Sequence, residues 1–144
     1  MINRTILFQA KSFLCWDKCP GMSIKLVPIQ ESVAFFYPPL EDDASVILFY
    51  NTTAMNLTNP LCFLFHEAGH YWQWVKARRA GKLDDFNKMI QLDKGEDKVD
   101  FEREAWIFGQ EMLVEFLKKE NIGTMTVLAQ YFKLMSKSLE TYND

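Results

Sequence analysis

The spacing of apolar residues changes along the chain and divides it into helical and extended segments. Over residues 3–16 the apolar side chains recur at helical spacing, and a Pro-Gly pair at 20–21 ends that pattern. Three short runs rich in β-branched and aromatic residues follow, at 24–29, Val33–Tyr37 and 46–50. The chain is therefore expected to begin with a helix and to continue with three strands.

The three strands are expected to take different positions in a sheet. The run at 46–50 is continuously apolar, which suits a strand that is covered on both faces. Pro38 and Pro39 stop the run Val33–Tyr37, and proline cannot donate a hydrogen bond to a neighbouring strand. We therefore expect Val33–Tyr37 at an edge of the sheet.

The pattern then becomes helical again, and the next helix has signals at both ends. Asn59 is expected to be its N-cap and Pro60 its first residue, since proline is common at that position. Basic residues stand in the last turns before Ala80, where they oppose the negative end of the helix dipole, and Gly81 follows. We therefore expect one long helix over 59–80.

Further helical segments follow this long helix. A short one is expected over about 84–92, and it leads into a charged, glycine-containing loop at 93–98. A second long helix is expected over about 100–120. Thr124 is expected to cap a last helix that ends near Glu140.

Together these segments predict one α+β domain over residues 1–144. A small three-stranded sheet would pack against the long helix at 59–80, with a second long helix and a C-terminal helix beside it. The composition supports this expectation, because 144 residues with 49% hydrophobic and 15% aromatic side chains supply enough apolar surface for one core. No repeat or low-complexity segment divides the chain.

Charge and cysteine content narrow the classes of function. The chain has 16 Lys and Arg against 19 Asp and Glu, so it lacks the basic excess that binds phosphates, and nucleic acid is not expected as a partner. No apolar run approaches the roughly 20 residues that cross a bilayer, so no membrane association is expected. Cys15, Cys19 and Cys62 form no disulfide framework, and we expect reduced thiols in a cytoplasmic protein.

The only two histidines of the chain stand in an HExxH motif, which is formed by His66, Glu67 and His70. On a helix, residues four apart lie above each other on one face, so both imidazoles can reach one ion. A catalytic zinc ion needs three protein ligands and one open position for water. Lys76 stands where a three-histidine motif has its last ligand, so the third ligand is expected to be a carboxylate.

Two carboxylates early in the second long helix compete for that role, Glu102 and Glu104. Glu102 is preferred because Ala105 and Gly109 lie on the same helical face, and small residues let two helices approach closely enough to share a metal ion. Glu104 points about 200 degrees away, where a salt bridge or a contact with a ligand is expected instead. The expected site is therefore Zn²⁺ held by His66, His70 and Glu102.

A family resemblance agrees with this site. The order of strand, loop, HEAGH helix and then Glu-x-Glu-Ala-x-x-Phe-Gly-x-x-Met-Leu resembles the gluzincin-type zinc peptidases, and most closely the ImmA/IrrE group, over residues 33–113. The resemblance implies a zincin-like fold in which His66, His70 and Glu102 bind the metal ion. It also implies that Glu67 is the catalytic base that activates a zinc-bound water.

The resemblance further implies where a substrate lies. The edge strand that holds peptide substrates in gluzincins is similar to Val33, Ala34, Phe35, Phe36 and Tyr37. An extended peptide would bind there by strand addition. The expected function is therefore zinc-dependent hydrolysis of a peptide bond in a protein or peptide substrate.

One departure from the family pattern supports an alternative function. Related peptidases place Asn or Asp four residues after the ligand Glu, whereas this chain has Trp106. A hydrogen-bond partner of a metal-binding histidine is therefore expected to be missing from that position. The alternative is a catalytically inactive, metal-stabilised regulatory or protein-binding domain.

Two further points stay open at the level of sequence. Gluzincins usually add a His or Tyr that stabilises the oxyanion of the reaction, and here Tyr71, Tyr131 or an arginine must take that role. The last helix, at 124–140, either covers the cleft as an inhibitory lid or packs on the core.

Overall fold

A computed structural model describes residues 1–29, 33–38 and 44–143. The described part contains helices and a mixed sheet, so the expected α+β class is confirmed. In chain order its elements are α1 (Arg4–Phe13), β1 (Met22–Pro28), β2 (Val33–Tyr37), β3 (Ala44–Tyr50), α2 (Thr58–Arg79), α3 (Leu83–Gln91), α4 (Glu96–Lys119) and α5 (Thr124–Glu140). A π-helical turn at Leu14–Lys18 continues α1. Among these helices, none combines the length and the apolar character needed to cross a bilayer.

The three strands form a sheet in the order β1-β3-β2. β1 runs parallel to β3, and β2 runs antiparallel to it. The edge position expected for Val33–Tyr37 is confirmed, and β3 is the central strand. Alternate residues of β3 are buried from Ala44 to Tyr50, whereas those between them are only half-buried. The expectation that both faces of β3 are covered therefore holds fully for one face only.

The helix that carries the HExxH motif starts earlier than the sequence suggested. Its N-cap is Leu57, so Asn59 is not the cap. The side-chain oxygen of Asn59 instead accepts a hydrogen bond from Gln130 of α5, at 2.8 Å. Asn59 therefore makes a contact with another helix and not the capping hydrogen bond that was expected within α2. The expected end is confirmed, because Ala80 is the C-cap and Gly81 follows with a φ of +69°, in the left-handed region that glycine favours.

Two other helix starts also differ from expectation. α4 begins at Glu96, inside the segment expected to be a charged loop. Lys98 of this segment is buried, and its side-chain nitrogen donates to the carbonyl oxygens of Met89 and Ile90 at 3.2 and 3.1 Å, so this part of α4 is held against α3. Thr124 does not cap α5, because Gly123 is the N-cap residue and Thr124 is already helical.

Two glycines bring the backbones of α2 and α4 into direct contact. A Cβ atom on Gly69 of α2 would overlap the carbonyl oxygen of Ala105, and a Cβ on Gly109 of α4 would overlap the carbonyl oxygen of Phe65. The small-residue face that the sequence showed at Ala105 and Gly109 therefore does face α2. This contact therefore sets the distance between the two helices, and with it the distance between side chains that face each other.

We predict that Gly109→Ala lowers the free energy of unfolding by about 2–3 kcal/mol, because α2 and α4 must move apart to make room for the added methyl group. Gly123→Ala is the control, since nothing lies within 4 Å of a Cβ at that position, and it should cost less than about 1 kcal/mol. Denaturant unfolding of both variants measures the difference. Equal losses would show that the helix contact is not tight.

Candidate metal centre

The helices α2 and α4 together bring three potential ligands to one point. The Nε2 atom of His66 lies 3.3 Å from Oε1 of Glu102, and the Nε2 atom of His70 lies 3.3 Å from Oε2 of the same carboxylate. One ligand atom from each of the three residues lies within 4.8 Å of the other two. All three side chains are buried. The structure thus brings together the residues that the sequence singled out.

The donor set of this cluster fits a zinc ion. Two imidazole nitrogens and one carboxylate oxygen are the three protein ligands of many catalytic zinc sites, in which the fourth position is left for water or substrate. The two histidines present the same ring atom, Nε2, toward Glu102. The cluster can therefore hold a metal ion, and binding itself stays a prediction.

The choice between the two candidate carboxylates follows from where each one points. Glu104 lies outside the cluster, where its carboxylate accepts hydrogen bonds from Gln73 at 3.1 Å and from Lys76 at 3.0 Å. Its side chain is partly exposed, whereas Glu102 is only 4% exposed. The geometry therefore favours Glu102 as the ligand and gives Glu104 a supporting contact.

Glu67, the expected catalytic base, lies beside the cluster and lines the same cavity as His66 and Glu102. Its Oε1 is 3.9 Å from Nε2 of His66. The pKa of Glu67 is raised to about 7, because its burial and the neighbouring Glu102 outweigh the lowering effect of His70 and Lys98. A carboxyl group with a pKa in that range can both accept and release a proton near neutral pH.

Opposite charges compensate each other within the buried cluster. Burial lowers the pKa of His66 to about 4. Burial also lowers the pKa of His70, but the charges of Glu102 and Glu67 and the hydrogen bonds to Glu102 and Gln73 outweigh it, so that pKa is raised. The pKa of Glu102 is lowered, because His70 and His66 overcome the effect of its burial. Without a metal ion, these shifts favour a negative charge on Glu102 and a positive charge on His70.

Sequence reasoning missed a second cation at this site. Lys98 is buried, and its Nζ lies 3.4 Å from Oε2 of Glu102. The spacing of four residues on one helix is a signal that could have linked Lys98 to Glu102. The sequence instead predicts a charged, glycine-containing loop at 93–98, in which no buried lysine is expected.

The two histidines are supported differently on their outer sides. Nδ1 of His70 lies 2.7 Å from the side-chain oxygen of Gln73. Nδ1 of His66 has no hydrogen-bond partner within the described residues, and its ring stacks on Trp106 with centroids 4.1 Å apart and planes 19° from parallel. As the sequence predicted, the position of Trp106 offers His66 no hydrogen bond.

A cavity of about 200 Å³ opens in front of the cluster. It lies between β2 and the C-terminal end of α5 and is lined by Val33, Ala34, Phe63, His66, Glu67, Glu102, Trp106, Ser138 and Tyr142. α5 packs on the core through the buried side chains of Val127 and Tyr131, and its last turn borders the cavity. The last helix therefore serves as a wall of the cavity and packs on the core.

The residues of β2 divide between three environments. Val33 and Ala34 line the cavity, as expected for a strand that holds a substrate. Phe36 points inward, with its ring centroid 5.9 Å from that of His70, so its side chain supports a metal-site residue and does not line the cavity. Phe35 and Tyr37 lie on the opposite face of the sheet and are 43% and 48% exposed.

The two tyrosines suggested by the sequence as oxyanion donors lie elsewhere. The hydroxyl of Tyr71 donates to the carbonyl of Pro20, and that of Tyr131 donates to the carbonyl of Trp106 at 2.5 Å. Neither residue, and no arginine of the described chain, lines the cavity. Tyr142 does, and its hydroxyl lies 3.4 Å from Oε1 of Glu102. Tyr142 follows the last helix, where no periodic pattern or motif could draw attention to it.

Comparisons of the chain with protein-family models, with curated proteins and with solved structures found no match. Function is therefore inferred from the site itself.

An isosteric pair of variants tests which carboxylate binds the metal ion. Glu102→Gln is expected to lower zinc affinity at least about 100-fold, because it removes the charged ligand from between the two imidazoles. Glu104→Gln should retain about one zinc ion per chain, because its amide oxygen can still accept from Gln73. Competition with a chromophoric chelator and elemental analysis measure both. If Glu104→Gln lost zinc affinity and Glu102→Gln retained it, Glu104 would be the ligand.

Proposed function

We propose that the chain is a zinc-dependent peptidase with a zincin-like arrangement, which hydrolyses peptide bonds in a protein or peptide substrate. The observation that carries this proposal is the convergence of His66, His70 and Glu102 beside a cavity that Glu67 also lines. Three ligands and a neighbouring base are the components that metal-assisted hydrolysis needs.

Each side chain then has a distinct task. His66, His70 and Glu102 would hold the ion, and the chemistry that Zn²⁺ supplies when bound is polarisation of the scissile carbonyl and activation of a water molecule. Glu67 accepts the proton of the attacking water and later passes it to the amine that leaves. The burial that raises the pKa of Glu67 to about 7 favours this exchange of a proton in both directions.

Tyr142 is suited to stabilise the developing negative charge. Its hydroxyl lies in the cavity beside Glu102 and can donate to the carbonyl oxygen of a bound peptide. The backbone around it is held in place, because the N–H of Gly95 donates to the carbonyl oxygen of Tyr142 at 2.8 Å. A fixed hydroxyl stabilises charge better than a mobile one, since less reorganisation is needed during the reaction.

The free edge of β2 provides a way to bind an extended peptide. β3 pairs with β2 on one side, and no strand of the described residues pairs with it on the other. A peptide that adds to this edge would form main-chain hydrogen bonds along it. Because Val33 and Ala34 also line the cavity, such a peptide would pass directly in front of Glu67 and the metal ligands.

The base is tested by Glu67→Gln. This variant should keep its zinc ion, because Glu67 is not a ligand, and should lose about 10²–10⁴-fold in the rate of peptide cleavage. The assay uses zinc-loaded protein with unfolded casein and a quenched fluorescent peptide library, with and without a chelator. A variant that cleaves as fast as the wild type would remove Glu67 from the mechanism.

Tyr142→Phe tests the oxyanion donor. The hydroxyl acts on the transition state, so kcat should fall about 10²-fold while KM changes little. Tyr71→Phe is the matched control, because the hydroxyl of Tyr71 contacts the carbonyl of Pro20, away from the cavity. A fall in kcat for the control, or none for Tyr142→Phe, would contradict the assignment.

One observation favours a second candidate, a metal-stabilised regulatory or protein-binding domain without turnover. Within the described residues His66 has no hydrogen-bond partner on Nδ1, and Trp106 stacks on the face of its ring. Loss of such a partner lowers metal affinity or activity about 10- to 100-fold in other zinc sites. Zinc would raise the melting temperature under both proposals, but cleavage that a chelator stops is expected only for the peptidase.

A further inference from the structure

A chain of hydrogen bonds leads from His70 to the surface of the molecule. Nδ1 of His70 lies 2.7 Å from Oε1 of Gln73, and Nε2 of Gln73 donates to Oε1 of Glu104 at 3.1 Å. The ammonium group of Lys76 donates to the other oxygen of Glu104 at 3.0 Å. The chain therefore begins at a buried metal-site residue and ends at an exposed ion pair.

The orientation of the Gln73 amide is determined by its surroundings. Its NH₂ group faces two groups that can only accept, the carbonyl oxygen of Phe101 at 2.7 Å and the carboxylate of Glu104. The amide oxygen must then face His70. Because that oxygen can only accept, the hydrogen between the two residues belongs to Nδ1 of His70.

This assignment determines which ring nitrogen of His70 can bind a metal ion. With a hydrogen on Nδ1, the lone pair of the neutral imidazole is on Nε2, which is the atom that faces Glu102. Gln73 is only 3% exposed, so water does not compete strongly for these hydrogen bonds. The hydrogen bond also holds the plane of the ring relative to α2.

His66 has no equivalent support on Nδ1, which has no hydrogen-bond partner within the described residues, and its ring stacks on Trp106. Trp106 offers no hydrogen bond to His66, whereas Gln73 accepts one from His70. Gln73 comes from the same helix as His70, three residues further on, and α4 holds it there through Phe101 and Glu104.

We propose that Gln73 is a positioning residue of the metal centre, which fixes the tautomer and the ring orientation of His70 and is itself held by Glu104 and Lys76. This inference rests on the proposed metal site. It assigns a role in metal binding to three residues outside the HExxH motif and the ligand set.

The test compares Gln73→Leu, which is similar in size but lacks both polar groups, with Gln130→Leu as a matched control. Gln130 also makes a side-chain hydrogen bond, to Asn59, but on an exposed surface. Zinc affinity should fall about 10- to 100-fold in Gln73→Leu and stay unchanged in the control. Glu104→Ala removes only one of the two acceptors that hold Gln73, so it should give a smaller loss.

Two readouts separate positioning from a general loss of stability. The absorption bands of the cobalt-loaded protein report the geometry around the ion and should shift in Gln73→Leu. The Nδ1 hydrogen of His70 should give a slowly exchanging proton NMR signal in the wild type, with or without zinc, and that signal should be lost in Gln73→Leu. If Gln73→Leu does not fold, Glu104→Ala replaces it, and a zinc affinity and cobalt spectrum identical to those of the wild type would then contradict the proposal.

The possible failures can be told apart. If the wild type binds zinc and Gln73→Leu has the same zinc affinity and cobalt spectrum, the role of Gln73 is overturned. The proposed function is unaffected by that result. A wild-type protein that binds no zinc overturns the proposed function, and the inference with it. The NMR signal would then still show whether Gln73 accepts from His70.

Discussion

The direct backbone contact between α2 and α4 is the constraint on which the metal centre depends. Gly69 and Gly109 leave no room for a Cβ where the two helices meet. Glu102 can lie between two imidazoles of the facing helix only if the backbones of the two helices are close together. The sequence positions of these glycines therefore matter to the site as much as those of the ligands.

Burial of the cluster has an electrostatic cost that nearby residues offset. Glu102 is an anion in an apolar interior, and His70 and Lys98 lie within 3.3 and 3.4 Å of it. Lys98 in turn is held by two carbonyl oxygens at the end of α3, so the short helix is tied to the ligand carboxylate. An ion pair of this kind contributes little net stability, but loss of one partner would leave a buried charge without compensation.

The sequence predicted those features of the site that depend on local geometry. The HExxH spacing, the edge position of β2 and the preference for Glu102 follow from helix and strand periodicity and from the properties of proline and glycine. Lys98, Gln73 and Tyr142 could not be found in this way, because each acts through a contact with another element. The prediction that Asn59 caps α2 was wrong for the same reason, since the side chain of Asn59 bonds to Gln130 of α5.

The stacking of Trp106 on His66 has a consequence for spectroscopy. An imidazole in contact with an indole ring quenches its fluorescence, and the quenching depends on whether the imidazole carries a proton or a metal ion. Trp106 is almost fully buried, whereas Trp16 is 84% exposed. The protein thus carries an intrinsic optical reporter that is stacked on a proposed metal ligand.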